Sequence, residues 1–189
     1  MQIQTSLKLF KEDFRFSAAH FLIFDETHAE QLHGHNFVVR VELGLPPRSS
    51  FNQRGLHQPF NHYKIWLRSQ FQKLNETIIL PALHPDIQVI DETNSPELSS
   101  QSSSSSPEIL KKSSVGRSAT CLKILFRDRQ YVFPKNEVQL LPISNSSVEE
   151  LSYYFASQMW HEFKNDHLQF VSIEIQEVPG QSALTRVQE

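Results

Sequence analysis

Cysteine is nearly absent: the chain has one, Cys121, which excludes an intrachain disulfide and fits a reducing compartment. No apolar run reaches the length that spans a bilayer, and no charged-then-apolar leader opens the chain. The sequence therefore predicts neither membrane insertion nor export, and a cytoplasmic protein is expected. A surplus of one charge is missing as well. The formal net charge is −3 and the Lys and Arg residues are scattered rather than striped, which leaves no footprint for nucleic acid. What the chain does have is core-forming material. With 39% hydrophobic content and fourteen Phe in 189 residues, it can bury a sizeable core as a single domain.

Three histidines stand out. His20 ends the stretch Phe14-Arg15-Phe16-Ser17-Ala18-Ala19-His20, and His33 and His35 flank Gly34 in Leu32-His33-Gly34-His35-Asn36. Alternate side chains of an extended strand share a face, so His33 and His35 point the same way, as do Phe14, Phe16, Ala18 and His20. Antiparallel pairing of the two segments would bring three imidazoles to one side of a sheet. Three neutral nitrogen ligands with an open fourth position suit a catalytic zinc ion. A lone histidine on an apolar face is more often simply packed. Here Gly34 removes bulk between the two ligands, and Phe37, Val39, Val41 and Leu43 continue their face as an apolar row.

Beyond these strands, Gly44 to Gly55, with Pro46-Pro47, reads as a loop. Phe60, Tyr63, Leu67, Phe71 and Leu74 recur at helical spacing and predict an amphipathic helix from Phe60 to about Thr77. From about 92 to 118 the composition shifts to Ser, Asn, Pro and charge, including unbroken serine from Ser102 to Ser106. Such a tract buries too little apolar area to order itself and is expected to be an insertion. A β-hairpin is expected at about 119–134, from Cys121 to Phe126 and Tyr131 to Phe133. A second helix is expected near Ser146, which stands three residues before Glu149 at capping-box spacing, with Val148, Leu151, Phe155, Met159 and Phe163 as its apolar stripe. In the last strand, Gln169 to Glu177, the residues Val171, Ile173, Ile175 and Glu177 share a face, so a carboxylate ends an apolar row.

In this order, Phe-x-x-Ala-His, Leu-His-Gly-His-Asn, two helices and a final strand ending in Glu, the chain resembles the 6-pyruvoyl-tetrahydropterin synthase family. That family includes the bacterial 6-carboxytetrahydropterin synthases of the queuosine pathway. The resemblance implies an α+β tunnelling fold: a four-stranded antiparallel sheet with two helices on one face, assembled as trimers stacked into a hexamer. It implies Zn2+ on His20, His33 and His35, a small-molecule pterin substrate, and Glu177 pairing with the amino-pyrimidine edge of that pterin, in an active site lying between subunits. A carboxylate accepts two parallel N–H donors of such a ring as it accepts a guanidinium. The metal polarises oxygens of the substrate's hydroxylated side chain.

The chain also departs from the family pattern. The pyruvoyl and carboxy types usually carry a cysteine general base four residues before the first histidine of His-Gly-His, and here that place is Ala29. The Asp-His dyad after a leucine at the end of the first helix corresponds to Leu74-Asn75-Glu76. Cys121 lies far along the chain, in the added hairpin. One replacement base is Glu30, because Glu30-Gln31-Leu32-His33-Gly34-His35 resembles the branch that cleaves dihydroneopterin to 6-hydroxymethyl-dihydropterin for folate synthesis. His28, Glu76 and His84 are further candidates for proton transfer. Three expectations follow from the resemblance. One is a zinc-dependent lyase converting dihydroneopterin triphosphate to a 6-substituted tetrahydropterin. Another is the aldolase-like, folate-directed cleavage, and the last is a family member that binds zinc and pterin without catalysis.

Overall fold

Alternating burial along the first part of the chain produces three strands, β1 (Ser6–Leu9), β2 (Arg15–His20) and β3 (His33–Gly44). In β2 the buried positions are Phe16, Ala18 and His20, and in β3 they are Phe37, Val39, Val41 and Leu43, the period of two that a sheet with one apolar face requires. β2 runs antiparallel to the first half of β3, from Arg15↔Val38 to His20↔His33. β1 pairs with the second half, from Ser6↔Gly44 to Leu9↔Val41. This computed structural model describes residues 4–91 and 120–188; the serine-rich insertion expected at about 92–118 lies outside them.

Helix α1 (Phe60–Leu74) buries Tyr63, Leu67, Phe71 and Leu74, a stripe at intervals of four and three. It stops before the expected Thr77. Asn75 leaves the helix, its side-chain oxygen accepting the Ser17 N–H at 3.0 Å. Glu76 turns into the left-handed region at φ 61° and donates its own N–H to the Ser17 carbonyl. Thr77–Pro81 then becomes a strand, β4, because its apolar Ile78, Ile79 and Leu80 can cover the open edge of β2. In the same layer lie β8 (Val138–Leu141), β9 (Phe170–Val178) and β10 (Gln181–Gln188).

The sheet is therefore larger than the four antiparallel strands expected. It has seven, in the order β10-β9-β3-β2-β4-β8 with β1 beside β3. β4 pairs parallel with β2, and β8 parallel with β4, so the sheet is mixed. The second helix, α2 (Val148–Glu162), is capped by Ser147, whose side chain accepts the Glu150 N–H. The expected cap, Ser146, is instead buried, with its hydroxyl donating to the Phe21 carbonyl at 2.7 Å.

Phe71 of α1 and Phe155 of α2 meet at 5.8 Å over Phe16, which stacks on Phe37 at 4.9 Å. Both helices thus share one apolar core with the inner face of the sheet. Each of these fully buried rings contributes about 2–3 kcal/mol by transfer from water.

The described residues fall into two compact units, residues 4–85 with 137–188, and residues 86–91 with 120–136. In the second unit β5 (Ile87–Asp91), β6 (Cys121–Phe126) and β7 (Arg129–Pro134) form a three-stranded antiparallel sheet. β6 and β7 make a hairpin across Arg127-Asp128, where Arg127 adopts φ 56°. Its buried face is Leu122, Ile124 and Phe126.

Candidate metal centre

Strand pairing alone brings the histidines together. His20 and His33 are direct cross-strand partners, and His35 lies opposite Ala18, two residues along on the same face. The ring centroids of His20 and His33 are 4.9 Å apart, those of His33 and His35 4.8 Å, and those of His20 and His35 5.4 Å. β9 adds a fourth group. Its register with β3 reaches Val38↔Gln176, and one further step places Glu177 beside Phe37 on the core-facing side. One ligand atom from each of His20, His33, His35 and Glu177 lies within 4.8 Å of the others. Phe37 forms an apolar floor, its ring 5.3 Å from that of His20.

Two of the imidazoles are oriented by backbone carbonyls. His20 Nδ1 lies 2.8 Å from the Ser146 carbonyl, and His33 Nδ1 lies 2.8 Å from that of Gln31. A carbonyl only accepts, so each Nδ1 carries the proton and each Nε2 presents a lone pair. This is how metal-binding histidines are commonly held by their outer partners. It also explains why Ser146 does not cap α2: its carbonyl and hydroxyl are committed to the strand that ends at His20.

The donor set passes a direct test of fit to a cation. His20 is fully buried and its Nε2 makes no hydrogen bond, yet Glu177 Oε1 stands 2.9 Å away and lies 3.6 Å from His35 Nε2. A lone pair facing a carboxylate oxygen across 2.9 Å calls for a positive charge between or beside them. Burial pushes the proton affinity of His20 below the ordinary imidazole range, against the opposite pull of the Ser146 hydrogen bond and the Glu177 charge. A proton is thus disfavoured there, and a metal ion fits the three nitrogens and the oxygen.

Glu30 is brought to the edge of this cluster. Its N–H donates to the Leu22 carbonyl at 2.8 Å, its carboxylate accepts the Leu22 N–H at 2.9 Å, and Oε2 lies 3.9 Å from His33 Nε2. Ala29 sits next to it, bridged to Ile23. His28 occupies the exposed tip of this turn, with Nδ1 3.0 Å from Asp25. Asp25 also accepts from the N–H groups of Thr27 and His28, which hold its carboxyl far below the usual range.

Glu76 lines an open cleft of about 370 Å³ that also borders His35, Gly34 and Asn36. The sequence offers no signal that Ser146, expected only as a helix cap, or Gln31 orients a ligand, because both act on the histidines through the main chain. Cys121 belongs to the other unit.

A model of the 6-pyruvoyl tetrahydropterin synthase family matches residues 8–188. A Methanocaldococcus jannaschii protein, provisionally named a 6-carboxy-5,6,7,8-tetrahydropterin synthase, is 25% identical over 177 residues, covering 91% of this chain and 89% of that one. The Plasmodium falciparum 6-pyruvoyl tetrahydropterin synthase structure superposes with a TM-score of 0.75 at 23% identity, covering 98% of this chain and 99% of that one. The Plasmodium vivax enzyme gives 0.74 at 23% identity with full coverage of both. A solved variant of the P. vivax protein has a glutamate, described as a catalytic residue, replaced by alanine.

Proposed function

The chain belongs to the 6-pyruvoyl tetrahydropterin synthase family, and from that premise we propose that it is a zinc-dependent pterin lyase acting on the hydroxylated side chain of dihydroneopterin or its triphosphate. The observation that carries the reading is the donor set: three imidazoles, two with Nδ1 tied to carbonyls, converging with a carboxylate on one apolar floor. His20, His33 and His35 would hold the ion. Zinc there supplies Lewis-acid polarisation of the side-chain oxygens.

The protein groups divide the remaining work. Glu177 accepts the paired N–H donors of the amino-pyrimidine edge and so fixes the head of the substrate. Glu30 takes the proton of a side-chain hydroxyl, with its carboxylate held in place by the Leu22 N–H. This assignment answers the alanine at position 29, since a carboxylate one residue on stands near His33. The catalytic glutamate named for the P. vivax protein supports it.

The product depends on which bond breaks. Conversion of the triphosphate to a 6-substituted tetrahydropterin is the family-level reading. Aldolase-like cleavage of dihydroneopterin to 6-hydroxymethyl-dihydropterin is the second, favoured by the position of Glu30. Incubating the zinc-loaded protein with each substrate and identifying the pterins by mass decides between them. A pyruvoyl or carboxy product supports the first and a hydroxymethyl product the second. No product from a protein with bound zinc would reject the lyase and leave a binding role.

A homo-oligomer, trimer or hexamer, belongs to the same proposal. Phe10 and Leu184, both more than 60% exposed, border one surface depression and are suited to burial against another copy. A cytoplasmic location is proposed as well; among the described residues no helix is long and apolar enough to cross a membrane.

A further inference from the structure

Between the two ligand strands the chain makes a narrow turn that carries Glu30 to the edge of the metal centre. Its course is set by three consecutive peptide units, Phe21–Leu22, Leu22–Ile23 and Ile23–Phe24. Each is planar and trans, so its C=O and N–H point to opposite sides. On one side all three meet Glu30 and its neighbours. The Leu22 N–H donates to Glu30 Oε2 at 2.9 Å, the Leu22 carbonyl accepts the Glu30 N–H at 2.8 Å, and the Phe24 N–H donates to the His28 carbonyl at 3.0 Å. On the other side all three meet Asn145 and Ser146. The Phe21 carbonyl accepts the Ser146 hydroxyl at 2.7 Å, the Ile23 N–H donates to Asn145 Oδ1 at 3.3 Å, and the Ile23 carbonyl accepts from Asn145 Nδ2 at 2.8 Å.

Two side chains thus stand where a neighbouring strand would stand. An amide suits this place, because it presents an acceptor and a donor side by side and can serve both main-chain groups of one residue. Asn145 Oδ1 also accepts the Ser146 N–H at 3.0 Å, which fixes the amide against the start of α2. Ile23 is buried, so removal of the amide would leave its N–H and carbonyl short of partners. The next carbonyl along, that of Ser146, orients His20. A ligand and the proposed base are therefore both referenced to one dipeptide.

We propose that Asn145 is a positioning residue for the proton transfer assigned to Glu30: it fixes the peptide units that hold the Glu30 carboxylate beside His33. It acts through the main chain of residues 22–24 rather than on substrate. This role rests on the reading of Glu30 as general base.

The test compares Asn145→Ala and Asn145→Asp with the parent protein. Aspartate keeps the acceptor for the Ile23 N–H but sets an oxygen against the Ile23 carbonyl, so it probes the turn should alanine fail to fold. In the metal-free full chain, hydrogen exchange should speed up by roughly tenfold or more at the Leu22, Phe24 and Glu30 amides, while the Val39 and Ile173 amides keep their protection. In the zinc-loaded protein, kcat should fall by roughly tenfold or more, with KM within about twofold of the parent and zinc content unchanged. In a Glu30→Gln background the same substitutions should cost nothing further, because a base already removed cannot be misplaced. Unchanged exchange at the three amides, a parental kcat, or an equal further loss in the Glu30→Gln background each overturns the role of Asn145 and leaves Glu30 standing. Parental turnover by Glu30→Gln alone, or no turnover by the parent protein, overturns the reading of Glu30 and this role with it.

Discussion

Glu177 Oε1 and His20 Nε2 stand 2.9 Å apart with no hydrogen bond between them, because the only ring proton of His20 is given to the Ser146 carbonyl. Two electron-rich atoms held this close favour any cation that joins them. Zinc should therefore raise the melting temperature of the metal-free protein, and chelation should reverse the gain. Glu177→Gln separates two roles in the same experiment. If the carboxylate anchors pterin, the variant keeps zinc and loses pterin affinity; if it is a fourth ligand, zinc affinity itself falls by about tenfold or more.

Replacement of Glu30 by glutamine should leave zinc content unchanged, as measured by mass spectrometry of the metal, and lower kcat by about a hundredfold or more. The Leu22 N–H can still meet the amide oxygen, so the turn keeps its shape. Turnover at the parent rate would reject Glu30 as the base.

Acid should destabilise the metal-free protein. Folded His20 binds a proton less readily than unfolded His20, since burial lowers its proton affinity. As pH falls below about 6.5 the unfolded chain takes up more protons, and stability drops with it. Thermal melts in chelator between pH 8 and pH 5 should show this loss, and a His20→Gln variant should show a shallower slope. Equal slopes would contradict the role of His20.

Phe16 is 1% exposed and packs against Phe37, Phe71 and Phe155. Phe16→Ala should cost about 3–5 kcal/mol in urea unfolding, the sum of lost transfer energy and a cavity between both helices and the sheet. A loss below 1 kcal/mol would mean that the core collapses around the gap.

The sequence makes the histidine strands legible because period-two alternation holds from Phe14 to His20 and again from His33 to Leu43, and pairing then follows from the apolar face. It hides β4, since Thr77–Pro81 follows the helical stripe of α1 with only Asn75-Glu76 as a break, and the turn depends on Glu76 adopting φ 61°. β10 is hidden for a different reason. It is an edge strand without a fully buried side chain, and its signal is the Pro179-Gly180 turn, with Gly180 at φ 87°, followed by a weak Ala183, Thr185, Val187 alternation. Ser146 and Ser147 are indistinguishable by capping chemistry alone. Only the fold shows that the first is needed by His20.

The carbonyls of Ser146 and Gln31 hold two of the three imidazoles, and every amino acid has a carbonyl. The exposed side chain at position 31 can therefore drift through generations without removing its acceptor, so long as the main-chain path is kept, whereas Ser146 is buried with its hydroxyl on the Phe21 carbonyl and is constrained on its own account. The orientation of His33 is insulated from point substitution at the residue that sets it. Insertions or deletions near these two positions, which displace the main chain, are the changes to which the centre is vulnerable.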